Sequence, residues 1–244
     1  SADTVSWPSG PGLVAETAVM IDASTGSVLF DKKCHQKMYP ASITKIMTAL
    51  LTIENCNLDD TVTFSQSAID TLEPEAANIG AVVGEEMSVK DCLYALMLQS
   101  ANEVASALAE HVSGSIEEFA KLMNKRAKQA GANDAHFANA CGLFNKKHYV
   151  TAYDMAKIMQ AALQYPVFRE IINSSSYTLP TDNKRKEPLT ISQRHQMVQP
   201  WNSFHYDGII GGKTGFVNES GTTLVTSAQR DGMTLITVVL NSPG

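Results

Sequence analysis

The sequence predicts an α/β fold of the α+β type: a five-stranded, mostly antiparallel sheet formed by both chain ends, flanked by helices, with an inserted helical subdomain. Segments typical of β-strands lie near the two ends of the chain, and the segment between them has the apolar periodicity of helices. The 244 residues, of which 44% are hydrophobic and 18% charged, suit one large globular unit. We therefore expect a single domain over residues 1–244, with the helical insert at roughly 56–165.

The N-terminal part predicts a β-hairpin followed by a helix. Residues 17–22 (TAVMID) and 27–31 (SVLFD) are short β-type runs, and the Ala-Ser-Thr-Gly between them suits a tight turn. After Pro40, the segment SITKIMTALLTIEN has apolar residues at helical spacing. Ser42 is of the residue type that caps helices, so we expect it at a helix N-terminus.

The middle of the chain predicts further helices. Residues 65–87 look like a loop, and the polar residues 173–194 indicate an excursion or a hairpin rather than core. Three helix starts have the spacing of a capping box, in which two residues three apart bond to each other's backbone. These pairs are Ser88 with Asp91, Ser115 with Glu118, and Thr151 with Asp154.

The C-terminal part returns to the strand pattern. Residues 208–216, 222–228 and 233–240 are β-type runs, separated by turn-forming segments that contain Asn, Asp, Ser and Gly. Together with the N-terminal hairpin they give five strands. Because the strands come from both ends of the chain, we expect the two ends to meet in one sheet.

Charge and hydropathy exclude several classes of partner. The net charge is −6 and no arginine-rich stripe occurs, so nucleic acid is not an expected partner. The longest apolar runs are far shorter than the roughly 20 residues that cross a bilayer. No signal-peptide pattern begins at Ser1, so the protein is either intracellular or has already lost such a segment.

The four cysteines are Cys34, Cys56, Cys92 and Cys141. They include no C-x-x-C pair, and the sequence has no close Cys/His cluster of the kind that builds a zinc site, so we expect no metal. Four cysteines allow three disulfide connectivities. A domain of this size does not need disulfides, so we expect buried free thiols at least as much as disulfides.

The first motif with a chemical meaning is Ser42-Ile43-Thr44-Lys45. Residues three apart on a helix share a face, so the Lys45 amine can lie beside the Ser42 hydroxyl. Serine is a weak nucleophile until a base takes its proton, and an amine that is neutral part of the time can do so. The free N–H groups of the helix start can stabilise developing negative charge.

Two further motifs follow in order. Ser100-Ala101-Asn102 comes directly after an apolar helix and places a hydroxyl and an amide at the helix exit, suited to proton relay and to binding a substrate amide. Lys213-Thr214-Gly215 lies on a predicted strand, where it can hold a carboxylate and let a peptide approach the strand edge. Lys213 would also favour the neutral form of Lys45 through charge repulsion.

Each motif alone is weak, but S-x-x-K, S-x-N and K-T-G in this order are typical of β-lactamases and penicillin-binding proteins. The chain resembles the low-molecular-mass penicillin-binding proteins that are D-alanyl-D-alanine carboxypeptidases. The resemblance extends over nearly the whole sequence, in the blocks AVMIDASTGSVLFDK, YPASITKIMTALL, NEVASALAE, NACGLFNKKHYVTAYDMAKI and DGIIGGKTGFVNESGTTLVTSA.

The resemblance implies a role for each motif residue. Ser42 would attack the bond between the two terminal D-alanines with Lys45 as base, and Ser100 and Asn102 would complete the proton relay and hold the acyl amide. On the late strand, Lys213 and Thr214 would meet the substrate carboxylate beside Gly215. The backbone N–H groups of Ser42 and Phe216 would form the oxyanion hole.

The resemblance also implies the surroundings in which such a protein acts. Its substrate would be a peptidoglycan stem peptide ending in D-Ala-D-Ala, with β-lactams as covalent inhibitors and no cofactor. The location would be extracytoplasmic, with a signal peptide already removed. The sequence stops at Asn241-Ser242-Pro243-Gly244, where relatives usually continue into a further helix and often a β domain with an amphipathic anchor. We expect that domain and anchor to be absent from this chain. Contact with a membrane is then expected only if such a C-terminal anchor exists.

Two departures from the family pattern stand out. The middle motif has Ala101 where relatives commonly have glycine, which adds only a methyl group. Cys141 falls in a block that in the family lies near the cleft, either as a small packed residue or as a thiol that tunes the site. The histidines at 111, 136, 148, 195 and 205 have no G-x-S-x-G elbow to serve, so we expect them on the surface or in loops rather than in a Ser-His-Asp triad.

Three alternatives share the motifs. A serine β-lactamase must hydrolyse its acyl-enzyme quickly, and the E-x-x-L-N pattern that serves the class A type does not occur in this sequence. A penicilloyl-binding sensor or wall protein would keep the nucleophile without turnover. Endopeptidase action on peptide cross-links uses the same bond chemistry and is left open.

Overall fold

The computed structural model describes residues 10–243, and its central feature is a five-stranded antiparallel sheet. The predicted fold class is confirmed. The five strands are β1 (Thr17–Asp22), β2 (Val28–Lys32), β7 (Ile209–Val217), β8 (Gly221–Arg230) and β9 (Met233–Ser242). Their order in the sheet is β2-β1-β9-β8-β7, and all neighbours are antiparallel. Because β1 pairs with β9, the two ends of the chain meet at the middle of the sheet.

Seven α-helices lie between the two parts of the sheet: α1 (Lys45–Asn55), α2 (Gln66–Asp70), α3 (Val89–Leu98), α4 (Asn102–Ser113), α5 (Ile116–Ala130), α6 (Ala152–Ala162) and α7 (Pro166–Asn173). Two small two-stranded antiparallel sheets accompany them, β3 (Thr61–Thr63) with β4 (Glu86–Ser88), and β5 (Ser176–Leu179) with β6 (Leu189–Ser192). The hairpin predicted within residues 173–194 is therefore present. The loop predicted at 65–87 is interrupted by α2, whose first N–H groups are capped by Ser65.

The core lies between the sheet and the helices. Helix α1 is surrounded by other elements, and every residue from Lys45 to Thr52 is buried. Helix α6 packs on β9 and β1, and α1 packs on α6, α4 and α3. Strand β9 alternates between more and less buried residues, as expected for a strand with one face on the core. A helix with the length and apolar character of a membrane span does not occur between residues 10 and 243.

The predicted helix starts are right in part. Thr151 and Asp154 form the reciprocal capping box. Ser88 and Ser115 cap their helices, but their partners do not bond back. The carboxylate of Asp91 instead accepts the hydroxyl of Tyr177, and that of Glu118 accepts the amine of Lys121. Each carboxylate thus has a competing donor.

Ser42 does not cap a helix. A short 3-10 turn covers Ala41–Thr44, α1 begins only at Lys45, and the Ser42 hydroxyl makes no capping bond. The prediction of a helix N-cap at Ser42 is wrong in this detail. The physical reason is that Ser42 lies inside this turn, after its N-cap Pro40, and its hydroxyl is paired with the Lys45 amine at 3.0 Å.

Candidate active site

The turn that carries Ser42 is held between the sheet and a neighbouring loop. The Thr223 hydroxyl on β8 donates to the Pro40 carbonyl at 2.8 Å. On the other side, a Cβ atom at Gly142 would stand 1.9 Å from the Ala41 carbonyl oxygen, and Gly142 has φ +96°. Only glycine allows the loop to approach this closely. The serine is thereby fixed from both sides.

The Lys45 side chain lies fully buried beneath Ser42 and has three polar neighbours. Its Nζ is 3.0 Å from Ser42 Oγ, 2.7 Å from Asn102 Oδ1 and 2.7 Å from the Cys141 carbonyl oxygen. The last two neighbours can only accept hydrogen bonds. A neutral amine has two N–H groups for these acceptors and one lone pair, which then points to the serine hydroxyl. The geometry suits a proton acceptor at Ser42.

Burial lowers the pKa of Lys45 to about 8, and the positive charge of Arg194 acts in the same direction. The negative charge of Glu103 opposes the effect. Burial, rather than the charge of Lys213 expected from the sequence, is the main cause of the lowered pKa. Near neutral pH a usable fraction of Lys45 is therefore the free amine.

Ser100 and Asn102 lie where a helix exit meets the next helix start. Asn102 is the first residue of α4, and its backbone N–H donates to the Ala77 carbonyl at 2.8 Å. Ser100 is 4% exposed and has φ +60°, a left-handed conformation that is unusual for a residue other than glycine. Strained backbone of this kind is frequent at functional sites.

The K-T-G motif lies on β7, which is the edge strand of the sheet. A Cβ atom at Gly215 would stand 2.8 Å from the Ser42 nitrogen, so the strand passes directly beside the serine. The Lys213 amine is buried and donates to the Thr214 carbonyl at 2.7 Å. Burial and the charges of Lys45 and Arg194 hold the pKa of Lys213 well below its usual range.

A cavity of about 760 Å³ joins these elements. Its lining includes every predicted site residue except Lys45, which lies under the floor. The predicted residues in the lining are Ser42, Ser100, Asn102, Lys213, Thr214, Gly215 and Phe216. Three distant motifs thus converge on one cleft. Cys141 also lines the cavity, and its thiol lies 3.6 Å from Asn139 Oδ1.

Two of the histidines, His148 and His195, lie in loops as predicted, but they are buried rather than at the surface. Burial lowers the pKa of His148 to about 3, so the ring is neutral. Its Nδ1 accepts the Ala138 N–H, which leaves Nε2 to donate to the Thr44 hydroxyl at 2.8 Å. His195 lines the cavity and contacts the Thr226 hydroxyl, and burial lowers its pKa to about 4.

Arg194 and Glu103 are two charged residues of the site that the motifs did not identify. Arg194 lines the cavity next to His195. Glu103 is fully buried, and its Oε1 accepts the Ile79 N–H at 2.7 Å, which holds the segment that forms one wall of the cleft. Burial raises the pKa of Glu103. Its position directly after the S-x-N motif was the only signal in the sequence.

Comparison with known proteins gives one consistent family. The model of the D-alanyl-D-alanine carboxypeptidase family matches residues 4–244. The carboxypeptidase DacF of Bacillus subtilis is 35% identical over 232 residues, which cover 93% of this chain and 57% of the relative. The carboxypeptidase of a Streptomyces species is 32% identical over 95% of this chain and 82% of the relative. The chain thus spans little more than half the length of the Bacillus relative.

Solved structures show the same relationship. A mutant of the Streptomyces DD-transpeptidase superposes with a TM-score of 0.89 at 30% identity, covering 96% of this chain and 93% of that one. The D-alanyl-D-alanine carboxypeptidase of Mycobacterium tuberculosis superposes with a TM-score of 0.85 at 29% identity, covering 98% and 86%. With the family match over nearly all residues, the chain belongs to the D-alanyl-D-alanine carboxypeptidase family of serine peptidases.

Proposed function

We propose that this chain removes the terminal D-alanine from peptidoglycan stem peptides through an acyl-enzyme on Ser42. The observation that carries the proposal is the environment of the Lys45 amine, which has two acceptors for its N–H groups and the serine hydroxyl at its third position. The family match supplies the substrate class. The site residues below are assigned on the geometry around this pair.

In the first step Ser42 Oγ attacks the carbonyl carbon of the penultimate D-alanine, and its proton passes to Lys45 Nζ. The bond to the terminal D-alanine then breaks, and the leaving amine takes a proton through Ser100. The N–H groups of Ser42 and Phe216 are proposed to stabilise the oxyanion, a contact worth about 3 kcal/mol per donor. Water hydrolyses the ester and releases the shortened peptide.

The substrate is proposed to lie along the free edge of β7. A peptide can add to an edge strand through backbone hydrogen bonds, and β7 has a partner only on its β8 side. Lys213, with Thr214 beside it, would hold the terminal carboxylate, and Asn102 would bind the acyl amide. The bare backbone at Gly215 allows this approach. A metal or cofactor has no part in these steps.

We further infer that residues 1–244 act as one catalytic domain outside the cytoplasm, where peptidoglycan lies, and that β-lactams acylate Ser42. One hydrophobic core, shared by the sheet and the helices, supports the single domain. The family's substrate supports the location.

The test is D-alanine release from a stem-peptide mimic by the wild type and by Ser42→Ala, with Ser192→Ala on the exposed face of β6 as control. We expect near-complete loss in the first variant and full activity in the second. Fast penicillin hydrolysis without D-alanine release would reassign the chain as a β-lactamase. A lasting penicilloyl adduct with no peptide turnover at any pH would reassign it as a sensor.

A further inference from the structure

A second cluster of reactive side chains lies at the opposite end of the helices that carry the active site. Cys56 follows the last residue of α1, Asp60 lies in the turn before β3, and His111 is in the last turn of α4. One ligand atom from each residue lies within 4.8 Å of the other two. A thiol, a carboxylate and an imidazole therefore lie close to one another in space.

The backbone around Cys56 and Asp60 is fixed by hydrogen bonds. The Cys56 N–H donates to the Thr52 carbonyl at 3.0 Å, and the Val89 N–H donates to the Asp60 carbonyl at 2.9 Å. The Asn57 N–H donates to Asp60 Oδ2 at 2.9 Å, which orients the carboxylate and leaves Oδ1 available. The ligand-bearing turn is thus held in place before any ion binds.

We propose that Cys56, Asp60 and His111 form a Zn²⁺ site with water in the fourth position. Thiolate, imidazole and carboxylate are the ligands that zinc prefers, and its bond lengths place tetrahedral ligand atoms about 3.5 Å apart. The three ligand atoms now lie within 4.8 Å of one another, so coordination would draw the side chains closer together. On coordination the thiol gives its proton to the buffer, and no redox step is involved.

The charges of the cluster suit a cation. A Cys56 thiolate and the Asp60 carboxylate would place two negative charges within 4.8 Å of each other, and a divalent cation would balance them. The sequence has no close Cys/His spacing that predicts this cluster, because His111 joins it from a helix fifty-five residues after Cys56.

The site would tie together the two helices of the proposed catalytic pair. Helices α1 and α4 start at Lys45 and Asn102 and pack on each other. At 1.5 Å per residue, their far ends lie about 14–17 Å away from these residues. An ion there should stabilise the fold and leave the chemistry at Ser42 unchanged.

The experiment uses untagged, chelator-treated and reduced protein, titrated with Zn²⁺ by calorimetry and with Co²⁺ by absorption. We expect one equivalent to bind, with a thiolate-to-cobalt charge-transfer band and a higher Tm in Zn²⁺. Cys56→Ser and His111→Gln should each weaken binding by about tenfold or more and remove the Tm increase. Cys34→Ser and His35→Gln, outside the cluster, are the matched controls and should bind as the wild type does.

Two results would overturn the proposal: no saturable binding at micromolar Zn²⁺, or binding that persists unchanged in either Cys56→Ser or His111→Gln. Circular dichroism of each variant separates loss of the site from loss of the fold, because a folded variant with intact binding counts against the assignment. D-alanine release is measured in parallel and is not expected to respond to Zn²⁺.

Discussion

The two lysines of the cleft share residue type and burial but differ in their partners. Lys45 lies on the helix side, where Ser42 Oγ, Asn102 Oδ1 and a backbone carbonyl surround its amine. Lys213 lies on the strand side, where its amine donates a hydrogen bond to the neighbouring Thr214 carbonyl. Burial is the first cause of a lowered pKa at each.

The difference shows that the hydrogen-bond partners of each amine, rather than its burial, distinguish a proton acceptor from a carboxylate-binding group. The helix-side amine has its donors engaged and its remaining position at the nucleophile, which is the arrangement of a base. The strand-side amine lines the open cavity with donors to spare, which is the arrangement of an anion-binding group. The predictions below test whether the two sides separate in kinetics as they do in structure.

The largest effect is expected from Lys45→Ala. Removing the base should lower kcat/KM for D-alanine release by about 10³-fold or more, since general-base catalysis contributes on that order. Penicillin acylation of Ser42 should fall in parallel. Lys90→Ala, an exposed lysine on α3, is the control. Wild-type acylation in folded Lys45→Ala would remove the lysine from the mechanism.

Lys213 is tested with a substrate change as well as a mutation. If the terminal carboxylate binds this amine, its negative charge favours the protonated form that burial disfavours, so Lys213→Gln should weaken kcat/KM about 10- to 100-fold, as expected for a charged hydrogen bond. A substrate with a C-terminal carboxamide should lose a similar factor with the wild type. Combining the two should add little further loss. Fully additive losses would show that Lys213 does not contact the carboxylate.

His148 supports the helix side, and its burial predicts a stability effect. Its pKa is about 3 in the folded protein against an ordinary value of 6.5, so the unfolded chain binds the extra proton between these values. Stability should be fully present above pH 6.5 and fall with decreasing pH, by at most about 1.4 kcal/mol per pH unit from this group.

His195, whose pKa is about 4, contributes to the wild-type slope with the same sign. The comparison is therefore urea unfolding of wild type and His148→Gln between pH 4 and 6.5. The variant should show the smaller slope, and His35→Gln should not differ from the wild type. An unchanged slope in His148→Gln would show that the ring does not stay neutral.

The smallest effect is expected from Glu103→Gln. The carboxylate of Glu103 raises the pKa of Lys45, so its neutralisation should move the acidic limb of kcat/KM to lower pH. At pH 7, below the pKa of Lys45, kcat/KM should therefore rise. Glu110→Gln, on the same helix, is the control. A lower plateau with an unmoved limb would indicate a purely structural role for Glu103.

The sequence predicted the elements of the fold and the identity of the motif residues, but not how the motif residues are arranged in space. Periodicity and turn residues identified the five strands and the helix after Pro40, because these signals are local. The ordered motifs identified Ser42, Lys45 and Lys213, because the spacing and order of motif residues can be read directly from the sequence. Their convergence on one cavity is a property of the folded structure.

Other features depended on contacts between distant residues. The 3-10 turn at Ser42 arises because Gly142 and Thr223 hold it from two sides, and neither lies near it in sequence. The burial of His148 depends in the same way on its contact with Thr44 across 104 residues. Local patterns do not carry such information, so the burial of His148 and the missing helix cap at Ser42 were not predicted.

The most direct test of the account is the titration of Lys45 itself, followed by NMR of ¹³C-labelled lysine side chains and assigned by the signal lost in Lys45→Arg. The account predicts a pKa of about 8 in the free protein. A Lys45 that titrates at the ordinary lysine value near 10.5 would mean that the amine stays charged and cannot accept the proton of Ser42.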